Sequence, residues 1–182
     1  MSFKYTFNRL AIAASFLFIS FSVIAEPTLE EVVVSARKVD ENLQDVPIAM
    51  SVFTSSDIED AGIQRPEDFI ALTPNVVMAN TVNVGDTLVT IRGLTSTRDA
   101  ESNFAFVVDG VLQTNPNAFN RELLDIAQIE VLKGPQGALY GRNATSGAIL
   151  ITTKAPSEES ESTAVVGMGV NNSTKLQFVN SG

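Results

Sequence analysis

The segment KGPQGALYGRNATSGAILITTK, Lys133 to Lys154, brings Gly134, Gly137, Gly141 and Gly147 close together with Pro135, then runs into an apolar strand. A glycine-rich turn beside a strand is one way to cradle a phosphate with backbone N–H groups. The spacing does not serve that chemistry. A phosphate loop reads G-x-x-x-x-G-K-[ST] and leads into a helix. Here Leu139 stands five residues after Gly134 and Ser146 five after Gly141. Pro135 removes an N–H that an anion nest would use. The segment leads into the β-prone AILITT instead of a helix N-terminus.

Other reactive constellations are excluded by composition. The chain has no histidine and no cysteine. Ser-His-Asp and Cys-His nucleophile systems, and every imidazole or thiolate metal centre, are therefore out of reach. Asp57, Glu59 and Asp60 cluster, but Ala61 stands where a calcium loop needs a ligand, so they read as a helix start. No carboxylate pair at metal-loop spacing appears elsewhere, and no metal or cofactor is expected. The tripeptides Asn143-Ala144-Thr145 and Asn172-Ser173-Thr174 match a glycosylation acceptor, a pattern frequent by chance.

The first residues carry Lys4 and Arg9, then an apolar run from Leu10 to Ile24, then Val23 and Ala25 at small-residue cleavage positions. Residues 1–25 are expected to be a secretory leader. Its apolar run is shorter than the ~20 residues a spanning helix needs. Removing it would shift the formal net charge from −9 to −11. Such an acidic chain, without a basic stripe, is no nucleic-acid binder. Exported without cysteines, it has to rely on packing or on a larger assembly.

The elements that position these residues can be read from period and punctuation. Val32, Val33 and Val34 form a short β-prone island, followed by polar, disorder-leaning sequence to Asp45. A compact region is expected from residue 46 to 156. IAMSVFT reads as a strand. Ser56 with Glu59 predicts a capping box for a short helix that stops at Gly62. A second helix is expected from Pro66, ending before Pro74. NVVMA, TLVTIRG, QIEVLKG and AILITTK read as strands, NFAFVVDGVLQ as a hairpin turning at Asp109-Gly110, and NRELLDI as a short helix. This mixture predicts a small α+β domain with a mixed β-sheet and short helices. Residues 157–182 are expected to hold linker, from the acidic APSEESES, and the start of a β-barrel: ESTAVVGMGV and KLQFVNSG alternate large and small side chains around NNST, as transmembrane β-strands do. Two strands cannot close a barrel, so the chain is expected to be the N-terminal part of a larger protein.

The succession EEVVVSARK, PNVVM, TIRGL, VVDGV and IEVLKGPQGALYGRNATSGAILITTK resembles the N-terminal region of TonB-dependent outer-membrane receptors. The likeness spans about residues 29–156 and runs on into the first barrel-like strands. It implies a plug domain that fills and gates a large β-barrel in the Gram-negative outer membrane. The barrel imports siderophore-bound iron, vitamin B12, haem or a carbohydrate, energised from the inner membrane by TonB, and no enzyme activity is implied.

The same resemblance implies residue roles. Residues 26–45 hold the TonB box and linker, with Glu31, Val32, Val33, Val34 and Ser35 pairing with TonB by strand addition. The valines fit equally well as the first strand of the following domain. Arg92, Lys133 and Arg142 are the implied plug-to-barrel contacts, Lys133 replacing the family's arginine and losing its bidentate fork. Outward loops at 79–86, 95–103 and 113–120 make Asn83, Arg98 and Phe119 the candidate ligand contacts. The glycine loop is expected to hold nothing small, its glycines serving close packing. The alternative is a stand-alone periplasmic module that keeps the TonB-pairing strand and transports nothing.

Overall fold

The computed structural model describes residues 31–80, 87–96, 101–115, 118–156, 160–169 and 173–181. By contact the chain divides into Met1–Glu31 and Val32–Gly182, and the second unit holds every element described below. The leader, Asn83 and Arg98 lie outside the described residues.

The strands in chain order are β1 Val33–Val34, β2 Glu41–Asn42, β3 Met50–Thr54, β4 Val76–Asn80, β5 Thr87–Ile91, β6 Leu94–Thr95, β7 Phe104–Val108, β8 Val111–Leu112, β9 Ile126–Lys133, β10 Gly147–Thr153, β11 Glu161–Gly169 and β12 Ser173–Ser181. Among the described residues three short α-helices join them: α1 Ser55–Asp60, α2 Pro66–Leu72 and α3 Gly137–Tyr140. The central sheet has five strands in the order β3-β9-β10-β7-β8. Its β7–β10 pair is parallel and its other pairs antiparallel, so the expected mixed sheet is present. A three-stranded sheet β4-β5-β6 and the ribbons β1-β2 and β11-β12 complete the fold.

Alternation along the strands gives the central sheet two unlike faces. Phe104, Phe106, Ile129, Val131, Ile149 and Ile151 point into a large core with Phe69 and Ile70 of α2 and Val89 and Ile91 of β5. Phe119 sits in its middle, edge-on to Phe69, Phe104 and Phe106 at centroid distances of 6.3, 5.2 and 5.0 Å. The opposite face carries Ala105, Val107, Leu132, Ala148 and Leu150, with Ala36 packed on them.

Three expectations are corrected here. The cap of α1 is Thr54 with Asp57, not Ser56 with Glu59: Asp57 N–H donates to Thr54 Oγ1 and Thr54 N–H to Asp57 Oδ2 at 2.9 Å. The Thr54 N–H first, and then the Thr54 hydroxyl, which donates to Asp57 Oδ2 at 2.7 Å, hold the Asp57 carboxyl below the usual range. NRELLDI is no helix. Leu123 N–H instead donates to Gln64 O at 2.8 Å and Asp125 takes a left-handed φ of 54°, feeding directly into β9; so short a run has little helical stability of its own. The polar stretch after the valines is ordered, containing β2 and a 3-10 turn at Leu43–Asp45. The hairpin turn holds as read, with Asp109 and Gly110 at φ 46° and 78°.

Candidate functional site

Of the residues singled out in the sequence, Val34 and the neighbours of Ala36 lie over the small-residue face of the central sheet, whereas Phe119 lies in the core on the other face. The valine island is laid against the sheet. Val34 and Ala36 are buried at 1% and 0% exposure, whereas Val33 is 49% exposed. One edge of β1 pairs with β2 in the register Val33↔Asn42 and Val34↔Glu41, and Leu43 N–H donates to Val32 O at 3.0 Å. The other edge meets side chains of β9. Gln128 Nε2 donates to Val33 O at 3.0 Å, and Ser35 N–H donates to Glu130 Oε1 at 3.0 Å. Ser35 Oγ reaches the same oxygen at 3.2 Å.

Glu130 is 2% exposed, and its Oε2 is buried without a hydrogen-bond partner. Burial pushes its carboxyl up from the ordinary range, the Ser35 bonds oppose this, and Asp40 adds to the rise. Glu130 is a residue that the sequence reading misses, and its available signal is a carboxylate at the centre of an apolar strand.

The glycine-rich loop answers to the same segment. Its short helix α3 aims Tyr140 back, and Tyr140 OH donates to Ala36 O at 2.8 Å while Lys38 Nζ lies 5.6 Å from the ring centroid. Burial, then the neighbouring Glu130, pushes the phenol up to about 12, so it remains a donor. Gly134 and Gly141 have φ of 120° and 74°. Gly147 is demanded by space: a Cβ there would overlap the carbonyl oxygen of Leu132 on the paired strand. The loop therefore holds a piece of its own chain.

The cationic candidates divide. Arg92, exposed at the end of β5 with φ 50°, brings Nη1 within 3.2 Å of the point where a Cβ on Gly134 would lie. Lys133 is beside it and donates from Nζ to Ser51 Oγ at 3.0 Å. Burial, then the Arg92 charge, holds the Lys133 ammonium below its ordinary range. Among the described residues neither cation has an acidic partner. Arg142 is different, paired with Glu101 at 3.4 Å on the surface. Phe119, expected as an outward ligand contact, is a core residue at 3% exposure, because its loop turns the ring into the aromatic cluster.

The ribbon β11-β12 has two distinct sides. Ala164, Val166, Met168, Leu176 and Phe178 share one side, with Met168, Leu176 and Phe178 exposed at 88%, 78% and 72%. On the other, Lys175 Nζ reaches Gln64 Oε1 at 2.7 Å and Glu122 Oε1 at 3.8 Å.

Comparison with known proteins agrees with this architecture. Residues 42–148 match the family described as TonB-dependent Receptor Plug Domain. The chain is 29% identical over 136 residues to the pesticin receptor of Yersinia pestis, covering 74% of this chain and 20% of that protein. It is 32% identical over 169 residues to the vitamin B12 transporter BtuB of Vibrio vulnificus strain CMCP6, covering 85% and 27%. The crystal structure of the ferric yersiniabactin uptake receptor FyuA from Yersinia pestis superposes with a TM-score of 0.66 at 27% identity, over 72% of this chain and 21% of that one. The chain thus spans about a quarter of the length of the curated relatives it matches. With a mixed sheet, few helices and a matching family model over most of its ordered core, the chain belongs to the plug domains of the TonB-dependent outer-membrane receptors of Gram-negative bacteria.

Proposed function

We propose that this plug gates an outer-membrane barrel that imports a scarce ligand, a ferric siderophore or vitamin B12, and that residues 31–35 couple it to TonB. The observation that carries the reading is the two-sided ribbon. Its polar side holds the plug through Lys175, and its bare apolar side is what a barrel wall turns toward lipid. Strands of nine residues suit the ~9–11 that cross an outer membrane. Arg92 and Lys133, cationic and without acidic partners among the described residues, suit carboxylates supplied by the barrel's inner wall. The relatives named above are a pesticin receptor, a vitamin B12 transporter and a ferric yersiniabactin uptake receptor, and no catalytic role is assigned.

The test compares ligand binding with energised uptake in cells expressing the receptor from its full coding sequence, with ferric siderophores and cyanocobalamin as probes. Val33→Pro removes a backbone donor at the centre of the pairing strand. The expected outcome is wild-type binding with uptake abolished, and a milder defect for Val33→Ala. Uptake at the wild-type level in the proline variant removes the TonB-pairing role. If no probe binds and the downstream sequence encodes no barrel strands, the stand-alone periplasmic module is the better reading.

A further inference from the structure

A small polar knot joins the two sheets at the end of the central sheet opposite Thr153. Ser96 follows β6 of the three-stranded sheet, Asn103 precedes β7 and Ser146 precedes β10. Strands β7 and β10 run parallel in the register Gly147↔Phe104, which sets Asn103 and Ser146 side by side, and Ser146 N–H donates to Asn103 O at 2.9 Å. Ser146 Oγ lies 3.0 Å from Asn103 O and 3.1 Å from Asn103 Oδ1. Ser96 Oγ lies 2.8 Å from Asn103 Oδ1 and 3.1 Å from Val89 O. The Asn103 side chain thus accepts from two buried hydroxyls, one from each sheet. It also ties together the two ends of segment 97–102. Glu101 in that segment is held a second time, by Arg142 of the glycine-rich loop at 3.4 Å.

We propose that Asn103 is a positioning residue for ligand capture, closing the neck of segment 97–102 so that the segment meets the ligand in a preset arrangement. The proposal rests on the reading of the plug as the gate of a ligand-importing barrel. A loop with fixed ends has less conformational freedom to lose on binding, so a closed neck raises affinity without a ligand contact of its own. Stability explains the side chain poorly. Without it each hydroxyl keeps a backbone acceptor, Val89 O for Ser96 and Asn103 O for Ser146, so no buried donor is orphaned. What the amide oxygen supplies is the bond across the neck, because Asn103 N–H reaches Ser96 Oγ only at 3.5 Å.

Two measurements on Asn103→Leu test this. In the 182-residue chain, amide exchange at Ser96 and Asn103 reports the neck, and melting with exchange along β9 and β10 reports the rest of the fold. The neck amides are expected to exchange about tenfold faster than in the parent, with melting and the strand amides unchanged. In the receptor expressed from its full coding sequence, the Kd for whichever of the ferric siderophores or cyanocobalamin binds the parent is expected to rise about tenfold, with the number of sites retained. Asn103→Asp, which keeps an acceptor oxygen for both hydroxyls, is expected to restore both readouts to within about threefold of the parent. Parent-like neck exchange in a folded Asn103→Leu chain overturns the closed neck. Faster exchange with parent-like Kd overturns the positioning role and leaves the import reading standing. A parent that binds none of the probes counts against the import reading itself, and against the role assigned to Asn103 with it. If Asn103→Leu does not fold, Ser96→Ala decides: it removes the same bond from the other side, and parent-like exchange and Kd there overturn the proposal.

Discussion

The two faces of the central sheet are built from different materials. One presents phenylalanine and isoleucine to helices and a second sheet, and its side chains interlock with the ring of Phe119 at the centre. The other presents alanine, valine and leucine to a strap of extended chain, held by three polar side chains and two small buried residues. Large interdigitating groups resist separation because any opening forfeits many contacts at once. Small groups under a hydrogen-bonded strap lose little apolar contact when the strap leaves. The first face keeps the domain folded, and the second keeps a segment parked.

Variants on each side should separate these roles. Phe119→Ala has the largest expected effect, a loss of about 3–5 kcal/mol in denaturant unfolding, because it empties the aromatic cluster. A loss below about 1 kcal/mol would return Phe119 to the ligand-facing candidates. Gly147→Ala is next, at about 1–3 kcal/mol by the same measurement, since β10 must move away from the Leu132 carbonyl. On the strap face, Tyr140→Phe should leave global melting within error while amide exchange at 33–36 quickens by about fivefold, the worth of one hydrogen bond near 1 kcal/mol.

Acidity should act on the strap face through Glu130. The Glu130 carboxyl is raised above its ordinary 4.5 by burial when the strap is docked, and exposure on release returns it toward that value. The docked form therefore binds the proton more tightly. Docking is strongest below the ordinary carboxylate range and weakens as pH rises through the docked value. Asp40 acts in the same direction, and Tyr140 is neutral throughout this range. Exchange protection of the Ser35 amide, corrected for its intrinsic rate, should fall with rising pH, and a rise would reverse the assignment. The smallest effect belongs to Arg142→Ala. Its exposed pair with Glu101 should contribute no more than about 0.5 kcal/mol to melting.

The elements legible in the sequence were those whose signals are local. Alternating branched residues marked β3, β4, β5, β7, β9 and β10, Asp109-Gly110 marked a turn, and Pro66 marked the start of α2. Helix α1 was found but capped two residues late, because Thr54-Asp57 and Ser56-Glu59 satisfy the same spacing and only backbone geometry chooses between them. Leu123 and Phe119 were misplaced for a different reason. Nothing within their own loops specifies a hydrogen bond to Gln64 or a pocket between Phe69 and Phe106. The docking of the strap was the least visible of all, since Ser35 and Glu130 are 95 residues apart in the chain.

That kind of separation also governs when the domain can form. Among the described strands β3 has its one sheet neighbour in β9, and Lys133 meets Ser51 at a separation of 82 residues. Strand β7 lies between β8 and β10, so its second edge also waits for later residues. A nascent chain ending before residue 126 has β3 without a sheet, and closure of such distant contacts is slow. The topology thus postpones folding until nearly the whole plug has been synthesised, which leaves time for an unfolded polypeptide to be threaded out of the cytoplasm.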